Sequence, residues 1–266
     1  MKYLLLFYLT LIIGSSPAQK NFPKEIPIDS LKKYSYFLVG IKTIKGKQTI
    51  YPIGTCFFAR RGNELFMITA KHNLNGYNSF NLNQIEFQFD TVGFRYFDPK
   101  TQKISYTSLN VKDHKKYFSN DYFFNSPDAV VLKMNDPIVN PLLHSIESFM
   151  LENKTEKPDS IISFGFAFER PYSFSDTTTS TYYSGIFQDN KDPNYPVNDS
   201  LYYVTKPISI QGMSGAPVFF KFIKKNKSYF TFGGVIFGTN FPYNSAYIVN
   251  PEIIRKKVSI FLSPPH

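Results

Sequence analysis

A single cysteine, Cys56, in 266 residues excludes an intrachain disulfide framework and any multi-cysteine zinc site. No basic run of five or six residues accompanies the formal net charge of +10, so that charge is first a statement about solubility and surface field. Nucleic acid is not expected as a partner. Eighteen prolines and 14 glycines follow no period, which excludes collagen-like and low-complexity classes. After the N-terminus no apolar run approaches the roughly 20 residues of a membrane span, so stable membrane insertion is not expected. What the chain does have is apolar and aromatic mass. It is 42% hydrophobic, with 28 Phe and 19 Tyr, too much for a disordered protein. Its length suits one large domain, or two small ones sharing an interface.

The first residues read as an address. Lys2 precedes the apolar run Tyr3 to Ile13, followed by Gly14, Ser15, Ser16, Pro17 and Ala18. A positive start, a short apolar stretch and small residues at Ser16 and Ala18 predict a secretory signal over 1–18, cleaved after Ala18. The expected location is periplasmic or extracellular. Residues 19–33 follow as an N-terminal arm. With no internal disulfide available, the core itself must hold the exported chain together. Cys56 lies in Gly54-Thr55-Cys56-Phe57-Phe58 and is expected to be a buried small hydrophobe.

The rest of the chain breaks into short runs of β-branched and aromatic residues between turn formers. They cover residues 34–44, 53–59, 64–69, 85–89, 93–97, 104–111 and 129–134, then 161–167, 182–187, 200–206, 216–222, 229–237 and 245–249. Arg60-Arg61-Gly62-Asn63 predicts a hairpin turn. Many short strands at this spacing argue for a sandwich or barrel rather than βαβ units. Residues 34–140 and 161–249 form two β halves, joined by a linker over 141–160 that carries few strand signals. A C-terminal helix is expected over 250–262. Asn250 caps it, Pro251 suits its first turn, and Ile253, Ile254, Val258 and Leu262 fall on one face.

Three short motifs carry candidate chemistry. A hydrophobic strand, Phe66-Met67-Ile68-Thr69-Ala70, presents Lys71 and His72 as it ends. Asp128 opens the apolar run Ala129-Val130-Val131-Leu132. Ser214 sits between glycines in Gly212-Met213-Ser214-Gly215-Ala216-Pro217-Val218. Each alone has a plain reading: a solvated histidine, an aspartate closing a turn, a glycine turn. Their order, His then Asp then Ser, is that of one of the known nucleophilic triads.

Together these motifs resemble the trypsin-like (chymotrypsin-fold) serine peptidases, in the bacterial branch without disulfides. Thr69-Ala70-Lys71-His72, Asp128-Ala129-Val130-Val131-Leu132 and Gly212-Met213-Ser214-Gly215-Ala216-Pro217-Val218 match the family's three patterns. Gly54-Thr55-Cys56-Phe57, with Cys56 in place of the usual second glycine, and Gly234-Val235-Ile236-Phe237-Gly238 resemble its strands beside the site. The resemblance spans roughly residues 35–262. It implies an all-β fold of two packed antiparallel β-barrels with a C-terminal helix. It implies peptidase chemistry on protein or peptide substrates, with no cofactor and no metal. The implied roles are Ser214 as nucleophile, His72 as base and Asp128 as the carboxylate that orients it. The backbone N–H groups of Gly212 and Ser214 would form the oxyanion hole, and Gly215 would leave room for substrate. The specificity pocket is placed near Ile208, Gln211, Phe237 and Gly238. No acid stands there, so the expected preference is for hydrophobic or small side chains rather than basic ones. Asp113 and Asp121 compete for the role of the acid, and His114 and His144 for that of the base. None of these four opens or closes a hydrophobic strand. The alternative is a catalytically idle domain of this fold acting as a binding or scaffolding module.

If residues 1–18 are a cleaved signal, the exported protein begins at Gln19. N-terminal sequencing of material secreted by a host expressing the full chain checks this, and a retained Met1 contradicts it.

Overall fold

The computed structural model describes residues 25–75, 89, 91–111, 127–146, 157–167, 180–187, 202–207, 209, 211–240, 242 and 244–260. The expected strand at 85–89, the signal, the competing residues Asp113, His114 and Asp121, and Ile208 fall outside these, Phe89 excepted. A 3-10 helix, Ile28–Tyr34, leads into β1 (Ser35–Ile44), β2 (Lys47–Arg61), β3 (Glu64–Thr69) and a one-turn helix α1 (His72–Asn75). β4 (Thr91–Asp98), β5 (Lys103–Asn110) and β6 (Val130–Met134) complete a six-stranded sheet in the order β5-β4-β1-β2-β3-β6. The second half holds β7 (Ser160–Gly165), β8 (Thr181–Phe187), β9 (Tyr202–Lys206), β10 (Pro217–Lys224), β11 (Lys227–Asn240) and β12 (Ser245–Val249). These close into a barrel in the order β10-β11-β12-β9-β8-β7, and α2 (Pro251–Ile260) follows. All named strand pairs are antiparallel. The expected all-β architecture with a C-terminal helix is what the chain adopts.

Turn chemistry sets the registers. Arg61 pairs with Glu64 across Gly62-Asn63, with Gly62 at φ +59°, so β2 and β3 form the hairpin that the glycine predicts. Lys45-Gly46 and Lys225-Asn226, all at positive φ, turn the β1–β2 and β10–β11 hairpins in the same way.

The strands near the centre are buried on both faces, and successive side chains divide between two cores. On β2, Phe57 and Ala59 face the interface between the sheet and the barrel, while Cys56 and Phe58 face the interior of the first half. On β3, Phe66 and Ile68 take the interface and Leu65 and Met67 the interior. Phe219, Phe230, Phe232 and Val249 meet them from the barrel, with Phe57 and Phe232 ring centroids 5.5 Å apart. Ile254 and Val258 of α2 seal one side of this shared core. Leu31 and, just beyond the segment read as an arm, Tyr34 also belong to it, so the end of that segment is built into the fold. The described part of the linker is tied down as well. Ile146 bridges to Ala59, and the Tyr36 hydroxyl accepts from the His144 N–H (2.6 Å) and donates to its carbonyl (3.2 Å). Among the described residues no helix is long and apolar enough to cross a membrane.

Phe232→Ala empties the shared core and is expected to cost about 3–5 kcal/mol, read by denaturant unfolding. Buried Cys56, whose thiol pKa is pushed well up by burial, should resist alkylation until the chain unfolds. A core variant of unchanged stability, or fast labelling of the native thiol, would contradict this packing.

Candidate active site

The pairing of β3 with β6 runs Leu65↔Met134 to Thr69↔Val130. Continuing that register brings residue 71 opposite residue 128, and the Lys71 N–H does approach the Asp128 carbonyl at 3.4 Å. One residue further, α1 starts at His72. The Asp128 carboxylate therefore meets His72 twice: Oδ1 accepts from the His72 backbone N–H at 3.0 Å, and Oδ2 lies 2.6 Å from Nδ1. Both residues are buried, Asp128 to 1% exposure and His72 to 8%. A carboxylate can only accept, so Nδ1 carries the hydrogen of the neutral ring, and Nε2 keeps its lone pair. A sheet register thus holds the imidazole in one orientation. His144, by contrast, is an exposed residue whose pKa is lowered by partial burial and then by Lys33.

Ser214 lies in the turn that opens β10. The Ala216 N–H donates to the Met213 carbonyl at 2.8 Å, with Ser214 and Gly215 at the corners and Gly215 at φ +88°. Positive φ at the second corner is the type II pattern that favours glycine. Gly215 is required for a second reason. A Cβ there would lie 2.0 Å from the Thr55 carbonyl oxygen and 2.3 Å from Thr69 Oγ1. The space that Gly215 leaves is thus filled by this protein's own β2 and β3, which corrects the expectation that it makes room for substrate. Its N–H is committed to the Ile236 carbonyl at 2.7 Å. Gly212, at φ +95°, turns the preceding loop.

Buried polar groups join the two halves here. Thr55 donates its N–H to the Ser214 carbonyl (2.9 Å) and its hydroxyl to the Gly212 carbonyl (3.0 Å). The same hydroxyl accepts the Phe166 N–H at 2.9 Å. Thr69 Oγ1 donates to the Thr55 carbonyl at 2.7 Å. Asn73, beside His72 on α1, donates from Nδ2 to Thr69 Oγ1 (2.9 Å) and to the Ser214 carbonyl (2.8 Å). His72 and Asp128 are therefore in direct contact, and the Ser214 main chain is bonded to the residue next to His72. Thr55 and Asn73 did not stand out as functional residues in the sequence. The available signal was an asparagine directly after the histidine, and a threonine directly after a glycine at the head of an apolar run.

The four residues assigned to a pocket differ in position. Gln211 is exposed and Gly238 half-buried, whereas the Phe237 ring is buried in the shared core against Tyr247, 5.8 Å between centroids. Ile208 lies outside the described residues. Among the described residues, no group of three or more His, Cys, Asp or Glu side chains is placed to hold a metal ion.

No protein-family profile matches the chain, and no curated protein matches it by sequence. Solved structures do. A thermostable serine protease from an extremophilic microorganism superposes with a TM-score of 0.54 at 11% identity, covering 88% of this chain and 98% of that one. An inactivated protease paralogue of the scabies mite superposes with a TM-score of 0.50 at 12% identity, covering 90% and 98%. The fold is chymotrypsin-like, and identities this low establish the fold alone.

Gly215→Ala should distort the turn at Ser214, because the new methyl meets a backbone carbonyl that cannot move aside. The expected result is a less stable protein, by about 1–3 kcal/mol or more, seen as a lowered melting temperature. Wild-type stability in that variant would contradict the close approach.

Proposed function

We propose that this chain is an exported serine endopeptidase that hydrolyses peptide bonds through an acyl-enzyme on Ser214. We place it in the disulfide-free bacterial branch of the trypsin-like peptidases. The observation that carries the reading is the buried two-point contact between Asp128 and His72, in a protease fold whose nucleophile turn is bonded to the histidine's own helix.

In the proposed reaction, Nε2 of His72 takes the proton of the Ser214 hydroxyl as Oγ bonds to the substrate carbonyl carbon. The carbonyl π-pair moves to oxygen, and Asp128 stabilises the imidazolium that forms. The N–H groups of Gly212 and Ser214 are the proposed donors to the oxyanion. The Gly215 N–H is excluded from that role by its bond to Ile236. When the oxyanion collapses, the C–N bond breaks and the leaving amine takes the proton from His72. Water then attacks the acyl carbon, His72 takes its proton and returns it to Oγ, and the acid product departs. Donors fixed before reaction are worth about 10²–10³ in rate each.

The proposed substrates are proteins or peptides. The absence of an acid at Gln211 and Gly238, the two assigned pocket residues that lie outside the core, supports a hydrophobic or small residue before the scissile bond. Export rests on residues 1–18.

A peptide library should be cut after hydrophobic or small residues, not after Arg or Lys. Ser214→Ala should lower turnover by roughly 10⁶ without unfolding the protein. Undiminished cleavage by Ser214→Ala would end the proposal.

A further inference from the structure

We infer that Asn73 is a positioning residue for this reaction, its side-chain amide locking the Ser214–Gly215 peptide to the helix that carries His72. The inference rests on the serine peptidase reading above.

The hydrogen-bond inventory leaves one solution. The Ser214 carbonyl can only accept, so the nitrogen of the Asn73 amide must face it. Thr69 Oγ1 donates its one proton to the Thr55 carbonyl, so toward Asn73 it too can only accept. Both protons of one Nδ2 are thus committed, to acceptors 2.8 and 2.9 Å away, and the amide cannot flip. Asn73 is 4% exposed, which raises the cost of leaving any of these groups unmatched. The Ser214 carbonyl receives a second bond from the Thr55 N–H, and the N–H of the same peptide unit, that of Gly215, donates to Ile236. The plane after the nucleophile is therefore held from both faces of the junction: by β2 and α1 of the first half, and by β11 of the second.

The surroundings are shaped around this bridge. Gly54 has no side chain where a Cβ would lie 2.5 Å from Asn73 Nδ2 and 2.8 Å from the Ser214 oxygen. Asn73 is also covalently next to His72, so a shift of its main chain relative to the Ser214 carbonyl is a shift of base relative to nucleophile. A general base must lie within hydrogen-bond reach of the proton it removes, and a misplacement of about 1 Å costs about 10²-fold. A purely structural asparagine would affect stability and leave the reactivity of each folded molecule alone.

The test uses an alkyl fluorophosphonate, whose reaction with a serine nucleophile divides into a binding constant and a maximal rate of phosphonylation. Asn73→Leu keeps the shape and removes both donors. It should lower the maximal rate by about 10- to 100-fold, with the binding constant changed less than roughly threefold. Asn73→Asp carries the test should the leucine variant fail to fold. Its carboxylate offers no donor to the Ser214 carbonyl, so the rate should fall as far. Its negative charge beside His72 should also move the pH midpoint of phosphonylation upward, which the leucine variant should not do. If the wild type is phosphonylated and the folded variants react as fast as it does, with only their melting temperatures lowered, the positioning role is wrong and the peptidase reading stands. If the wild type itself does not react, both fall.

Discussion

The site depends on one strand register. Thr69 opposite Val130 is the last pair of the β3–β6 ladder, and the residues just beyond it are Lys71 and His72 on one side, Asp128 on the other. A slip of two residues would keep every side chain on its own face, yet carry the carboxylate some 7 Å along the strand. What prevents the slip is the packing beneath. Leu65 and Met67 point into one core, Phe66 and Ile68 into the other, and both cores are filled by neighbours of fixed size. The chemistry of a carboxylate and an imidazole is thus enforced by aliphatic and aromatic residues that take no part in it.

A second constraint ties that pair to the serine. Thr55 touches almost everything: the carbonyls of Gly212 and Ser214, the N–H of Phe166, and through its own carbonyl the hydroxyl of Thr69. It stands on β2, the strand shared by the two cores, at the point where the halves meet. Apart from half-buried Ser214 every partner is buried, so each bond lost would leave an unmatched polar group, and the network favours being made whole or not at all. Gly54 and Gly215 belong to the same argument, because each leaves volume that another backbone occupies. The glycines beside the catalytic candidates serve close packing of main chain on main chain.

Much of this was legible in the sequence. The strands could be read from β-branched and aromatic runs, and the β2–β3 turn from Gly62. His72, Asp128 and Ser214 stood at strand ends and in a glycine turn, where side chains can reach a junction. Other features were hidden for physical reasons. β2 begins at Lys47, well before the run from Ile53, and Pro52 directly ahead of that run interrupts the strand pattern. It is accommodated at an irregularity where Leu38 pairs with Gly54 and Val39 with Pro52, leaving Ile53 as the extra residue. Strands buried on both faces lose the alternation that would assign each residue to a side, so the division of Phe57 from Phe58 required coordinates. Leu31 looked like part of an arm because a short 3-10 helix leaves little periodicity. The role of Asn73 was invisible for a different reason: its acceptor is a main-chain carbonyl more than a hundred residues away, and main-chain groups carry no sequence signal.

The most direct test of the central claim is to trap the acyl-enzyme. The folded protein is mixed with an activated acetyl ester, quenched in acid during the first turnover, and mapped by mass spectrometry. The account predicts one acetyl group per chain, on Ser214, absent when the protein is unfolded first and greatly slowed when Asp128 is replaced by Asn. Acetylation scattered over surface lysines and tyrosines, with Ser214 unmodified in the native protein, would contradict it.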